Sequence, residues 1–293
     1  MHRFLRAAGF SDFTTEESVY NLIRQHVVKP HLLSARLDLE DGCSVLEYRL
    51  PVNEHVGICA ALLDLGGGHT ELQYYYPYYN TYEISSNGTV ALERHTQVET
   101  YAGVIDEYNI GLSLIFYMTN PVNYRQRPDA GVCYEFHGTA LSAFANSATI
   151  LLPVAPPEEL PGGSGRSYTQ DEGLIEAARN GDIEAIETLT ASDMEIYQEI
   201  SERIETEDLY SVVEQSFMPC GIECDQYSII GEILEAEETE NSFTGERLSL
   251  MKVSSNGVDF RLCMRRSDLL GEPMKGRRIK CKIWMQGSVN VGV

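Results

Sequence analysis

Apolar positions recur along this chain with two different periods, and each change of period marks a change of element. Over residues 14–27 (TTEESVYNLIRQHV) Val19, Leu22, Ile23 and Val27 return at helical spacing. Thr14 or Thr15 offers a cap ahead of them with Glu17 just inside, so a helix is predicted there. From Ser44 to Pro153 the signal becomes that of strands: SVLEYRLPV, VGICAALLDL, TELQYYYPYY, TVALERHTQVETYAGV, GLSLIFYM, VCYEFHG and ATILLPV. Asn87-Gly88 carries the residue pair that favours a hairpin turn. The expected N-terminal structure is an antiparallel, meander-like sheet with the helix on one face.

Residues 155–170 (APPEELPGGSGRSYTQ) concentrate proline, glycine and serine without apolar periodicity, which marks a linker or a mobile loop. Helical patterns follow: DEGLIEAARN, an Asn180-Gly181 turn, a helix capped by Asp182, then SDMEIYQEISERI and TEDLYSVVEQSF. The first pair has the form of an ankyrin-type helical hairpin, but no second copy follows to stack on it. From Tyr227 strands return as YSIIGEILEAEE, ERLSLMKVSS, VDFRLCMRR and RRIKCKIWMQGSVNV, with Asn256-Gly257 closing the middle hairpin. The reading is an α+β chain in four parts. Residues 1–154 form an antiparallel α+β domain, 155–170 a flexible linker and 171–221 an acidic helical segment. Residues 222–293 form a small basic β-barrel, the OB fold being one form open to it.

Charge sharpens this division. The 293 residues carry a net −22. Residues 1–156 hold 9 basic and 17 acidic groups, 157–240 hold 3 and 23, and 241–293 hold 10 and 4. The acidic middle argues against nucleic acid and anionic membranes as partners, whereas the C-terminal piece is basic. The seven cysteines are odd in number and set in apolar runs, which fits reduced thiols of a cytosolic protein. No stretch reads as a secretory signal or a membrane span, so a cytoplasmic chain is expected and Asn87-Gly88-Thr89 is read as a turn rather than a glycosylation site.

Candidate chemistry is sparse. Asp64-Leu65-Gly66-Gly67-Gly68-His69-Thr70 resembles a phosphate loop of the actin and Hsp70 class of ATPases, in which glycine lets backbone amides approach the phosphates. The earlier phosphate loop and the later adenosine-binding glycine pair of that class are absent, so the glycines are expected to turn the chain between two strands. Leu72, Tyr74 and Tyr76 are then expected on one face and Tyr75 on the other. The tyrosines of this run could wall a ligand, but tyrosine is also an ordinary strand residue. His69-Thr70-Glu71 with Pro219-Cys220 and Cys224 misses the zinc-deaminase signature by one residue and has no further ligand nearby, so no metal and no cofactor is expected. Cys220 and Cys224 are expected to flank a turn. No nucleophile elbow, Walker loop, zincin motif or Rossmann fingerprint occurs.

Two constellations remain. Cys133, Glu135 and His137 alternate along one strand, and Glu93 and His95 along another; if the strands are neighbours, they line one face with histidine, carboxylate and thiol groups. An ordinary polar outer face would look the same. The basic residues Arg261, Arg265, Arg266, Lys275, Arg277, Arg278, Lys280 and Lys282, interleaved with Phe260 and Trp284, suit a single-stranded nucleic-acid path on a barrel. Phe260 alternates with Leu262 and Met264, and Trp284 follows Ile283, so at least one aromatic is expected in the core. The acidic helices are expected to cover these cations, leaving the full-length chain a weak nucleic-acid binder.

LERHTQVETYAGV (92–104), GLSLIFYMTN (111–120), LIEAARNGDIEAIETLTASDMEIYQEISERI (174–204), MPCGIECDQYSIIGEI (218–233) and GEPMKGRRIKCKIWMQGSV (271–289) together resemble a bacterial family of unknown function from anaerobic Firmicutes. The resemblance spans nearly the whole chain. It implies a bacterial cytosolic protein, brings no catalytic residues, and implies that the triple glycine is variable turn material. The leading functional expectation is a non-catalytic binding or adaptor protein that docks a partner with a basic surface through the acidic helices or a sheet face. The alternatives are an enzyme or small-ligand sensor on the polar strand face, and nucleic-acid binding by the barrel.

Overall fold

The computed structural model describes residues 2–39, 42–94, 100–107, 111–127, 130, 135–154, 174, 177–178, 180–204, 210, 213–221 and 223–290. Helix α1 (Glu16–Leu22) opens on Thr15, whose hydroxyl accepts the Ser18 amide while Ser18 Oγ accepts the Thr15 amide. The reciprocal cap is thus closed by Ser18 rather than by Glu17. The helix widens into a π turn over Ile23–Val27, and Val19, Leu22, Ile23 and Val27 are all buried.

Strands β1 (Leu33–Asp38), β2 (Ser44–Pro51), β3 (Val56–Asp64) and β4 (Thr70–Tyr79) form a four-stranded antiparallel sheet in that order. The apolar pattern missed β1, of which only Leu37 is buried. The triple glycine turns the chain between β3 and β4: Gly66, Gly67 and Gly68 sit at φ 81°, 63° and 83°, the left-handed region that glycine enters at little cost. Asp64 Oδ1 accepts the Gly66 amide at 3.0 Å and the whole turn is exposed.

The remaining strands make one ten-stranded sheet. They are β5 (Ser86–Arg94), β6 (Tyr101–Glu107), β7 (Leu112–Met118), β8 (Glu135–Leu151), β9 (Ser216–Pro219), β10 (Gln226–Glu240), β11 (Arg247–Ser255), β12 (Val258–Arg265), β13 (Leu269–Leu270) and β14 (Arg278–Val289). The order is β11-β12-β8-β5-β6-β7-β14-β10-β9, with β13 on β8 and further pairings β10–β11 and β8–β14. Short helix α2 (Pro121–Arg125) follows β7, and helix α3 (Ile183–Ile204) lies between β8 and β9.

This arrangement corrects several expectations. The chain is mostly β. Residues 222–293 do not make a separate barrel, because β8 supplies hydrogen-bond partners to both β12 and β14 and the sheet runs across the expected boundary at 154. The segments 132–138 and 148–154 are expected as two strands; the second belongs to the long β8, which runs unbroken through Gly138 to Ser147. Asn87-Gly88 makes no hairpin. It lies within β5 at a register shift against β8, and β4 and β5 belong to different sheets. Asn256-Gly257 does close the β11–β12 hairpin, with φ 50° and 77°. Asp182 caps α3, its Oδ1 accepting the Glu184 amide at 3.0 Å, and α3 runs without a break through Ser192. Ser216 and Phe217, expected at the end of a helix, begin β9. The linker 155–170 lies outside the described residues.

Alternation along the central strands feeds two cores. Met251, Val253, Phe260, Leu262, Met264, Ile283 and Met285 face an interior shared with Phe116 and Leu141. Leu248, Leu250, Cys263, Phe144 and Trp284 face the opposite way, into a cluster with α1, Phe4, Phe10 and the small sheet. Strands buried on both sides read as near-continuous apolar runs. Phe260 and Trp284 are both core residues, on opposite sides of the sheet.

Candidate functional site

The polar strand cluster is only partly placed. Glu93 is exposed on β5, as are Thr89 and Ala91 on the same alternation. Backbone register sets Glu135 opposite Ala91 and His137 opposite Thr89, so β5 and β8 are neighbours as the expected cluster required. His95 and Cys133 lie outside the described residues. Among the described residues no three His, Cys, Asp or Glu converge to hold a metal ion. Cys220 and Cys224 lie in the β9–β10 connection, where the Cys220 amide donates to the Gln226 carbonyl at 2.9 Å. The six described cysteines are free thiols, and burial pushes those of Cys59, Cys263 and Cys281 well up.

The basic residues are brought together, but most of them hold protein groups. Arg261 pairs with Glu83 and, at 2.8 Å, with Glu235; Lys252 reaches the same Glu83 at 3.2 Å. Arg266 bridges Glu238 (2.8 Å) and Glu272 (2.6 Å). Arg277 donates to the Glu272 carbonyl. Arg278 is buried and donates to the carbonyls of Leu152, Val213 and Tyr210, and Lys280 lies 4.2 Å above the Tyr210 ring. Lys275 and Lys282 are exposed. Among the described residues, the acidic segment meets this surface through backbone carbonyls and Tyr210, and the carboxylates paired with Arg261 and Arg266 are those of Glu83, Glu235, Glu238 and Glu272.

Arg265 belongs to a denser network. Asp268 accepts two hydrogen bonds from Arg6 (2.8 and 2.6 Å) and two from Arg265 (2.9 Å each). Those bonds, from Arg6 and then Arg265, outweigh burial and hold the Asp268 carboxyl down at about 2. Arg265 also meets Glu246, which accepts the amide and hydroxyl of Ser11. The network lines a cleft of about 760 Å³ with Arg247, Arg266, Glu238 and Glu272. Its charges are already matched, so it ties the N-terminal segment to the ends of β10–β12 rather than presenting a cationic face.

A charged pair is buried in the small sheet. Glu47 and Arg49 alternate on β2 and pair at 2.9 Å, with side chains 2% and 18% exposed. Arg49 also donates to Asn80 Oδ1 (3.1 Å) and to the Thr119 carbonyl beyond β7, and lies 5.0 Å from the centre of the Tyr78 ring. Tyr76 donates to the same carbonyl. The only sequence signal was a Glu-x-Arg alternation inside an otherwise apolar strand. The pair joins the small sheet to the large one.

Helix α3 presents a different surface. Ile183, Ile186 and Met194, with Thr190 between them, repeat at intervals of three and four residues, and the three apolar side chains are 71%, 44% and 69% exposed. Ala185, on the other side, is buried. The helix sequence carries six carboxylates against the single Arg203.

A family model described as a domain of unknown function, DUF3881, with an E. rectale gene description, matches residues 5–287. The chain belongs to that family. The DUF3881 match spans both sheets and α3, and E. rectale is a Firmicute, in line with the resemblance carried by the segments of residues 92–289. No curated protein and no solved structure matches the chain. No described helix is long and apolar enough to cross a membrane.

Proposed function

We propose that the protein is a non-catalytic binding protein that docks a partner with a basic surface through helix α3. The observation that carries this reading is the stripe of Ile183, Ile186 and Met194 left in water on a strongly acidic helix. An amphipathic helix normally buries such a stripe. The matching partner offers an apolar groove rimmed by lysine and arginine, with charge steering the encounter and the stripe supplying the contact. The test immobilises the full chain and an Ile183→Ser/Ile186→Ser/Met194→Ser variant in a native Firmicute extract. A basic protein retained by the wild type at low salt, released at high salt and lost from the variant is the expected outcome. Identical retention by both would sink the reading.

Nucleic acid fits this surface less well, because Arg261, Arg265 and Arg266 already hold carboxylates. The ring of pairings β11–β12–β8–β14–β10 and back to β11 supports reading the C-terminal strands as a small barrel of the OB kind completed by β8. The second reading, a small-ligand sensor or enzyme at Glu93, Glu135 and His137, rests on the register that makes β5 and β8 neighbours. It expects a metabolite that raises the Tm of the wild type but not of a Glu93→Gln/His137→Gln variant. A screen in which every stabilising compound acts equally on both ends that reading.

A further inference from the structure

The exposed stripe on α3 is narrow. Ile183, Ile186, Thr190 and Met194 follow one another at spacings of three, four and four residues. At about 100° per residue these positions fall within an arc of about 80°, and Met194 lies only about 20° from Ile183 after three turns. The stripe therefore runs almost parallel to the helix axis. A helix that packs on a broad surface carries a wider apolar face, whereas a narrow stripe is the seam along which two helices meet. Thr190 fits such a seam. Its hydroxyl donates to the Ile186 carbonyl at 2.7 Å, so its donor is satisfied within α3. On the opposite side of the helix Ala185 is buried.

The flank of the stripe is acidic. Glu184 and Glu187 follow Ile183 by one and four residues, both are exposed, and neither forms an ion pair among the described residues. A second copy of α3 would bring six carboxylates of its own against them, so like charge disfavours a pair of identical helices. A basic helix has the opposite charge on its flank and meets the same seam without that repulsion. We infer that the element of the partner that meets α3 is a single basic amphipathic helix. Its apolar side chains interdigitate with Ile183, Ile186 and Met194 over about three turns, and its lysines or arginines stand beside Glu184 and Glu187. The inference rests on the docking through α3 proposed above and names what the partner supplies to it. The groove that receives the stripe is then the one between the side-chain ridges of that helix.

The probe is a fluorescein-labelled helix of alanine, lysine and leucine, with leucines at the same spacing and a length of about 18 residues, enough to form in isolation. One counterpart carries glutamate for every lysine, and another has a central proline, which breaks the helix at constant charge. At low salt the full-length protein is expected to bind the basic helix roughly tenfold more tightly than either counterpart. The Ile183→Ser/Ile186→Ser/Met194→Ser variant abolishes that preference. Glu184→Gln/Glu187→Gln, which leaves the stripe in place, weakens the basic helix about threefold and flattens its salt dependence. A Glu54→Gln/Glu237→Gln variant of equal charge loss binds as the wild type does. Equal binding of the helical and proline peptides, no binding of any peptide, or unchanged binding by either α3 variant would each overturn the inference, as would loss of binding in the Glu54/Glu237 control. The peptide comparison is independent of the extract. A native partner retained through α3, together with equal binding of the helical and proline peptides, refutes the helix and leaves docking through α3 standing.

Discussion

At the scale of single residues, the structure concentrates its sensitivity in a few buried polar groups and one crowded ring. Asp268 has its carboxyl held at about 2 against an ordinary 3.8, because Arg6 and Arg265 bind the ionised form. A depressed carboxylate stabilises the fold fully above its unfolded value and loses that contribution as pH falls through the folded one. The urea midpoint of Asp268→Asn should therefore lie below that of the wild type near neutrality, and the gap should narrow as pH falls from 4 toward 2. A gap independent of pH would contradict the ion network. The ring of Phe116 is flanked by Gly103 and Gly287; a methyl on Gly103 would stand 2.1 Å from Phe116 Cζ. Gly103→Ala should cost about 1–3 kcal/mol by overpacking, with much of it recovered in the double variant with Phe116→Leu. Additive losses in chemical denaturation would refute that contact. Glu47 and Arg49 form a third such point. Arg49→Leu leaves a carboxylate stranded in the core and should destabilise by about 3–5 kcal/mol.

At the scale of elements, local chemistry was legible and long-range pairing was not. Helix α1, the glycine turn after β3 and the β11–β12 hairpin each follow from a few adjacent residues, whose caps and turn conformations are settled within the element. Asn256, at φ 50°, illustrates this: Asn256→Val should cost about 1–2 kcal/mol in denaturant unfolding, whereas Asn256→Gly should be close to neutral. Asn87-Gly88 carried the same signal and failed, because its strand finds β8 rather than β4. The basic strands were legible as cations but not as paired cations, since Glu83 and Arg261 meet across 178 positions of sequence. Glu83→Gln/Glu235→Gln removes both carboxylates paired with Arg261 and leaves Lys252 only its 3.9 Å contact with Asp259. It should raise salt-sensitive binding of a single-stranded oligonucleotide several-fold above a weak wild-type level. Tight binding by the wild type would show that the carboxylates do not mask this surface. The face of Leu72 was hidden for a different reason. Ala61 pairs with Tyr74 and Leu62 with Leu72, so Gln73 is an extra residue. It moves Leu72 off the face expected for it with Tyr74 and Tyr76, and such a bulge leaves no mark in the strand's own alternation.

At the scale of the whole molecule, the division into an N-terminal sheet and a C-terminal barrel dissolves because β8 pairs with β5, β12, β13 and β14. Composition and charge shift near residue 155, yet hydrogen bonding does not respect that shift. A fragment of residues 222–293 lacks β8, which pairs with both β12 and β14, and β7, a further partner of β14, and it should show no cooperative thermal transition. Residues 1–154 and 171–293 expressed together from separate reading frames should copurify as a folded pair, whereas either alone should aggregate. Stable, monomeric folding of the isolated C-terminal piece would restore the two-domain picture.

The position of β8 also sets a timetable. During synthesis it leaves the ribosome long before residues 278–289, which pair along most of its length. Throughout the making of residues 152–277, the edge of β8 that β14 will occupy has no strand on it. An unpaired strand edge is a template for joining other chains, and contacts between distant positions form late in folding. The nascent chain is thus at its most vulnerable just before β14 emerges, and a chain cut off a few residues into β14 would leave the ribosome as a substrate for chaperones and proteases.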